Sequence, residues 1–211
     1  MSAVNVARLE RAALCDLFEE LGPDRPTLCE GWTTKDLAAH LVIRERRPDA
    51  AVGILVKPVS GFTEQVRAAA AKRPYAELIG MLRRPPFWSL AGFGPTDRAT
   101  NTLEFFIHHE DVRRAQPEWE PRRLDATTTR ALWHGVSGTA RLALRRFKAG
   151  VEITAPGYGI VRTHTGPAQV TLTGEPGELV LFLNGRQRAA RVELTGPEEL
   201  TAKLRQARLG V

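Results

Sequence analysis

The stretch Asn101-Thr-Leu-Glu-Phe-Phe-Ile-His-His-Glu-Asp-Val-Arg-Arg-Ala115 decides how this chain is read. It reads as one helix, with Glu104 and His108 four residues apart. Residues at i and i+4 lie on one helical face, one above the other. A carboxylate and an imidazole held that way can share one divalent metal. Phe105, Phe106 and Ile107 precede His108, so the helix is expected to be mostly buried. A buried carboxylate without a partner is costly to desolvate, and a metal or an arginine would resolve that cost. The plainer alternative is two ordinary residues near the end of an amphipathic helix, since E-x-x-x-H is common by chance.

A third ligand must come from elsewhere. The chain has five histidines. One of them, His40, lies on a second helix-like segment, Trp32-Thr-Thr-Lys-Asp-Leu-Ala-Ala-His-Leu-Val42. Alone, His40 would be a satisfied core histidine. Together with Glu104 and His108 it makes a set of two histidines and one carboxylate with open positions, which suits Zn, Fe or Ni. Asp111, three residues beyond His108, could ligate or could accept the far ring N–H of a ligand histidine, and the second role is favoured. Asp36, one turn before His40, has the same outer role open to it, and helix capping explains it equally well. His109 lies about 100° around the helix from His108 and is expected at a surface or interface. His134 reads as a packing or surface residue and His164 as structural. Arg44 and Arg47, one and two turns beyond His40, are candidates for holding anionic groups of a substrate, against a solvated helix end. Cys15 and Cys29 have no histidine nearby in sequence and no CxxC spacing, so a metal site is expected to use N and O ligands.

Working outward, the first two-thirds of the chain reads as helical. A stripe over 3–21 (Val6, Leu9, Ala13, Leu14, Leu17, Phe18, Leu21) predicts a first helix, stopped by Gly22-Pro23. Thr33 and Asp36 predict a capping box, with a helix to about Arg47 ended by Pro48. Helices are expected over Phe62–Lys72 and Tyr75–Leu82, an apolar loop over Phe87–Pro95, and a further helix from Ala126 to Phe147. From Gly150 the pattern alternates. Strands are expected at Val151–Thr154, Gly159–His164, Ala168–Thr173 and Arg191–Thr195, with helices at Pro176–Leu183 and Pro197–Leu209. The fold class is therefore α+β: a helical domain over 1–149 and a small α+β domain over 150–211.

Composition bounds the function. The 211 residues carry a net charge of +6, but the basic residues are scattered in short runs without interleaved aromatics, so nucleic acid is not an expected partner. No apolar run approaches the roughly 18 residues of a membrane span. The N-terminal residues lack a secretory pattern, so a cytoplasmic location is expected.

The run Cys29-Glu-Gly-Trp-Thr-Thr-Lys-Asp-Leu-Ala-Ala-His-Leu41 resembles the W-x-x-x-D-L-x-x-H-L signature of the mycothiol-dependent maleylpyruvate isomerase family. Glu104-Phe-Phe-Ile-His-His-Glu-Asp111 resembles that family's second signature, E-x-x-x-H-x-x-D. The tail from Val170 to Arg186 is similar to its C-terminal sterol-carrier-like domain. The resemblance implies a DinB-like four-helix bundle whose divalent metal, usually zinc, is held by His40, Glu104 and His108, with Ni2+ or Fe2+ as alternatives. It also implies a monomer or homodimer that uses a low-molecular-weight thiol, mycothiol, as co-substrate. The thiol, bound to the metal as thiolate, would attack a small electrophile, giving S-transfer or isomerisation. The alternative is a non-catalytic metal- or small-molecule-binding protein of the same fold.

Overall fold

The computed structural model describes residues 5–47, 60–86, 95–163 and 167–210. The expected loop over 87–94, the helix end at Pro48 and His164 lie outside the described residues. The architecture is α+β, as the sequence leads one to expect. Among the described residues five helices come first: α1 Val6–Leu21, α2 Thr34–Arg46, α3 Ser60–Ala70, α4 Tyr75–Arg83 and α5 Pro95–Arg113. They are followed by α6 Ala126–Ala143, β1 Val151–Ala155, β2 Gly159–Arg162, β3 Val170–Thr173, α7 Pro176–Leu183, β4 Glu193–Thr195 and α8 Glu198–Gln206.

One expectation is corrected. The domain break was placed at 149/150, but the contacts divide the chain into Met1–Pro121 and Arg122–Val211. Helix α6 packs on α7 of the second unit, and its Trp133 ring lies 3.5 Å from the space beside Gly159 in β2. An amphipathic helix joins whichever core covers its apolar face, and the periodicity of α6 does not say which one that is.

In the first unit the expected four-helix bundle is built on α1, α2, α4 and α5, with α3 packed on α2. Leu14, Phe18, Leu37, Leu41, Leu78, Leu82 and Phe105 are essentially buried at its centre. Helix α2 is apolar nearly all round, from Leu37 to Ile43, as a helix enclosed by neighbours must be. Its start is fixed by the capping box read from the sequence: the Thr33 side chain accepts from Asp36 N, and the Asp36 carboxylate accepts from Thr33 N at 3.1 Å. Helix α5 begins at Pro95, six residues before the stretch that predicted it, and ends at Arg113.

A buried pair ties α1 to α2. Arg11 and Glu45 form an ion pair with side chains 8% and 2% exposed, and Arg11 also donates to the Leu82 carbonyl at 3.2 Å. The Arg11 guanidinium lies 4.5 Å over the Phe105 ring, so the same cation contacts α5.

In the second unit a four-stranded sheet runs β2-β1-β3-β4. The β1–β2 and β3–β4 pairs are antiparallel and the central β1–β3 pair is parallel. Val151, Ile153, Val170 and Leu172 are buried on one face of β1 and β3, the alternation that the sequence shows. Helix α7 is buried along its whole length.

Candidate metal centre

His40 sits in the middle of α2, while Glu104 and His108 lie one turn apart on α5. Packing of the helices brings the three together: His40 Nε2 is 3.6 Å and His108 Nε2 3.3 Å from the same oxygen, Glu104 Oε1. The three donor atoms lie within 4.8 Å of one another. Zn–N and Zn–O bonds near 2.0–2.1 Å in a tetrahedron put neighbouring donors about 3.3 Å apart. The donor set and its spacing therefore fit a divalent ion. Both histidines are buried, at 7% and 8% exposure.

The outer side of His108 is also built. Its Nδ1–H donates to Asp111 Oδ2 at 2.9 Å, and Asp111 is fully buried. A carboxylate on the far nitrogen fixes the tautomer and leaves Nε2 facing Glu104 and His40. Asp111 thus lies on the ring nitrogen of His108 that faces away from Glu104 and His40.

The two histidines differ electrostatically. Burial pushes the His40 imidazole below its ordinary value, with the neighbouring His108 and Arg44 adding to that and Glu104 only partly opposing it. His40 is thus neutral, as a ligand must be. His108 goes the other way: burial favours the neutral ring, but hydrogen bonds with Asp111, Cys29 and Glu104 overcome it and hold the group well above its usual range. Burial likewise disfavours the Glu104 carboxylate, but hydrogen bonds from His108 and His40 and the charges of His108 and Arg44 hold it well below the usual carboxylate range.

Arg44 belongs to this centre. Its Nε lies 3.2 Å from Glu104 Oε1, and its terminal nitrogen donates to Asn101 Oδ1 at 2.7 Å. The sequence left a metal or an arginine to compensate Glu104, and the fold supplies the arginine. Arg47 is exposed at the end of α2.

Two sequence expectations change. Asp36 does not reach His40; beyond its capping bonds it pairs with Arg67 at 2.5 Å, and Arg67 lies over the Trp32 ring at 4.9 Å. Trp32 in turn lies against His40, with ring centroids 5.1 Å apart and the rings tilted by 50°. Asp36 therefore braces the cover of His40 rather than the histidine itself. His109 is 5% exposed, with Nδ1 2.9 Å from Glu10 on α1, so it is an interior helix–helix contact and not a surface residue. His134 is exposed, in keeping with the surface position open to it.

Cys29 is the residue that sequence reasoning missed. Its Sγ lies 3.3 Å from Asp111 Oδ2, and Cys29, His108 and Asp111 form a second close group of metal-ligating atoms. The connection from Gly22 to Thr33 is pinned to α5 by Leu28 N donating to the Asp111 carbonyl at 2.9 Å. The only signal in the sequence was its place in the Cys29-Glu-Gly-Trp32 run ahead of α2.

No family model and no curated protein matches the sequence. Solved structures do match the fold. A crystal structure of the mycothiol-dependent maleylpyruvate isomerase aligns with a TM-score of 0.59 at 14% identity, covering 90% of each chain. A crystal structure of a histidine-to-alanine mutant of the mycothiol-dependent maleylpyruvate isomerase aligns with a TM-score of 0.60 at 15% identity, again over 90% of each chain. This chain has the maleylpyruvate isomerase fold. That fold extends over the helical unit and the small sheet alike, as the coverage shows. Among the described residues no helix is long and apolar enough to cross a membrane.

Proposed function

We propose that His40, Glu104 and His108 hold a divalent metal, zinc before nickel or iron, and that the chain works on a small electrophile with a low-molecular-weight thiol, mycothiol foremost. The observation that carries this reading is the convergence of three buried or half-buried donors from α2 and α5 within 4.8 Å, with Asp111 on the far nitrogen of one of them. The fold shared with a mycothiol-dependent isomerase supports the choice of thiol.

When bound, the ion would supply the Lewis acidity that lowers a thiol's pKa, as it lowers that of water, and so provides a nucleophile at neutral pH. The protein's own groups set the stage. Asp111 holds the proton at His108 Nδ1, so the proton that a bound ion would displace is the one on Nε2. Arg44, braced by Asn101, balances and orients the Glu104 carboxylate. Trp32 covers one side of His40 and keeps water from it. Addition of the thiol sulfur to an electrophilic carbon forms a C–S bond. Retention of that bond gives an S-conjugate, and its breakage after rotation gives an isomer.

The test begins with metal analysis of protein purified without a polyhistidine tag, beside His40→Ala. Stoichiometric metal in the wild type and its loss in the variant are expected. The loaded protein is then incubated with mycothiol and a panel of electrophiles, and a conjugate or isomer is sought by mass spectrometry and chromatography. No stoichiometric metal, together with an unchanged metal content in His40→Ala, ends the metal reading. Stoichiometric metal without any product leaves a metal-binding protein and ends the enzymatic one.

A further inference from the structure

His108 presents two ring nitrogens to two different sets of donors. Nε2 faces Glu104 and His40. Nδ1 faces Asp111 Oδ2 at 2.9 Å, and that same oxygen lies 3.3 Å from Cys29 Sγ. Cys29, His108 and Asp111 each offer a ligand atom, and these atoms all lie within 4.8 Å of one another. We propose that Cys29, His108 and Asp111 form a second metal site, selective for soft, thiophilic cations, on the opposite edge of the His108 ring from the His40–Glu104–His108 set.

The chemistry of the donors sets the selectivity. One sulfur, one imidazole nitrogen and one carboxylate oxygen favour ions such as Cd2+ over hard ions such as Mg2+, because the thiolate is the softest protein ligand. The spacing is suitable: M–N and M–O bonds of about 2.0–2.2 Å and an M–S bond of about 2.3 Å put adjacent donors roughly 3–3.6 Å apart. The 2.9 and 3.3 Å separations need only a small expansion. In the chain stripped of metal, Asp111 Oδ2 accepts from His108 Nδ1–H and from the Cys29 thiol, while Nε2–H faces Glu104. A bound cation takes the place of the Nδ1 and thiol protons, which leave to solvent, and His108 remains a neutral imidazole with its N–H on Nε2.

The site is preorganised and has an entry side. Asp111 is fully buried and His108 nearly so, while Cys29 is only partly buried. Cys29 is held by several contacts: Leu28 N donates to the Asp111 carbonyl, Cys29 N to Thr27 Oγ1 at 3.2 Å, and Trp32 N to the Cys29 carbonyl at 2.9 Å. By contrast, Cys15 is 1% exposed within the bundle core, and burial pushes its thiol up to about 11, so it stays a thiol.

The test is titration of the full chain, stripped of metal, with cadmium chloride, following thiolate-to-cadmium charge-transfer absorbance in the ultraviolet. The wild type and Cys15→Ala are expected to show the band with a one-to-one end point. Cys29→Ser, which keeps a hydrogen-bond donor of similar shape, is expected to lose it. His40→Ala is expected to keep it, because His40 belongs only to the first set. No band in the wild type, or a band that survives in Cys29→Ser, overturns the proposal. Loss of the band in His40→Ala also overturns it, by making Cys29 a fourth ligand of the first set. The result does not depend on the first set holding metal, since that is read separately by metal content and by His40→Ala.

Discussion

Replacing Asp111 with Asn tests the geometry of the first metal set most sharply. Asn is isosteric with Asp, so α5 and its packing are left in place. What changes is the acceptor on His108 Nδ1: a buried carboxylate 2.9 Å away becomes a neutral amide. Asp111 is 0% exposed, so water cannot take over its role. The amide oxygen, placed where Oδ2 was, can still accept from Nδ1–H and from the Cys29 thiol, but it carries no negative charge. Loss of a carboxylate behind a ligand histidine costs about 10–100-fold in metal affinity. That is roughly 1.4–2.7 kcal/mol at 1.36 kcal/mol per decade. Full burial and the two donors sharing Oδ2 place the expected loss toward the upper end. The assay is zinc competition against a chromophoric chelator, with wild type and His40→Ala as the two limits. An affinity within about twofold of wild type would refute the orienting role. A loss as complete as that of His40→Ala, in a protein that still folds, would refute it differently, by making Asp111 a direct ligand.

Further expectations concern stability. Glu45→Ala leaves the Arg11 guanidinium buried and unpaired and should cost about 3–5 kcal/mol in urea unfolding of the first unit, whereas Arg11→Met with Glu45→Leu should recover most of that; additive losses in the double variant would show that the two do not act as a pair. At Asp36, burial works against the charged form, but the hydrogen bonds from Arg67 and Thr33 outweigh it and hold the carboxyl below its ordinary value. A depressed folded pKa contributes stability above the unfolded value that is lost as pH falls through the folded one, so Asp36→Asn should flatten the acid limb of the stability curve below about pH 4; an unchanged limb contradicts this. Asp125 caps α6, accepting from Thr127 N at 2.8 Å and Thr128 N at 3.1 Å, and Asp125→Ala should cost about 1 kcal/mol, read from the unfolding of the second unit.

Much of the candidate site was legible because it is local. The i,i+4 spacing of Glu104 and His108 puts both on one face of α5 whatever the rest of the chain does. The Thr33–Asp36 box fixes where α2 starts, and so which residues surround His40. The joining of His40 to the other two came from the resemblance of two signatures, not from any spacing, since 64 residues separate His40 from Glu104. Cys29 and Arg44 show the limit. Cys29 is 82 residues from the carboxylate it touches, and only the pinning of the α1–α2 connection to α5 brings it there. Arg44 reads from the sequence as a solvated helix end, and only packing puts its guanidinium on Glu104.

The sequence by itself determined the elements, their α+β order and the identity of the three ligand candidates, because capping, periodicity and turn residues act over a few positions. Tertiary structure decided what lies between elements: that α6 packs with the sheet unit, that His109 turns inward to Glu10, that Asp36 braces Arg67, and that Cys29 shares an oxygen with His108. The physical reason is the same in each case. An apolar face or a charged tip specifies the kind of partner it needs, while the packing of whole helices specifies which residue meets that need.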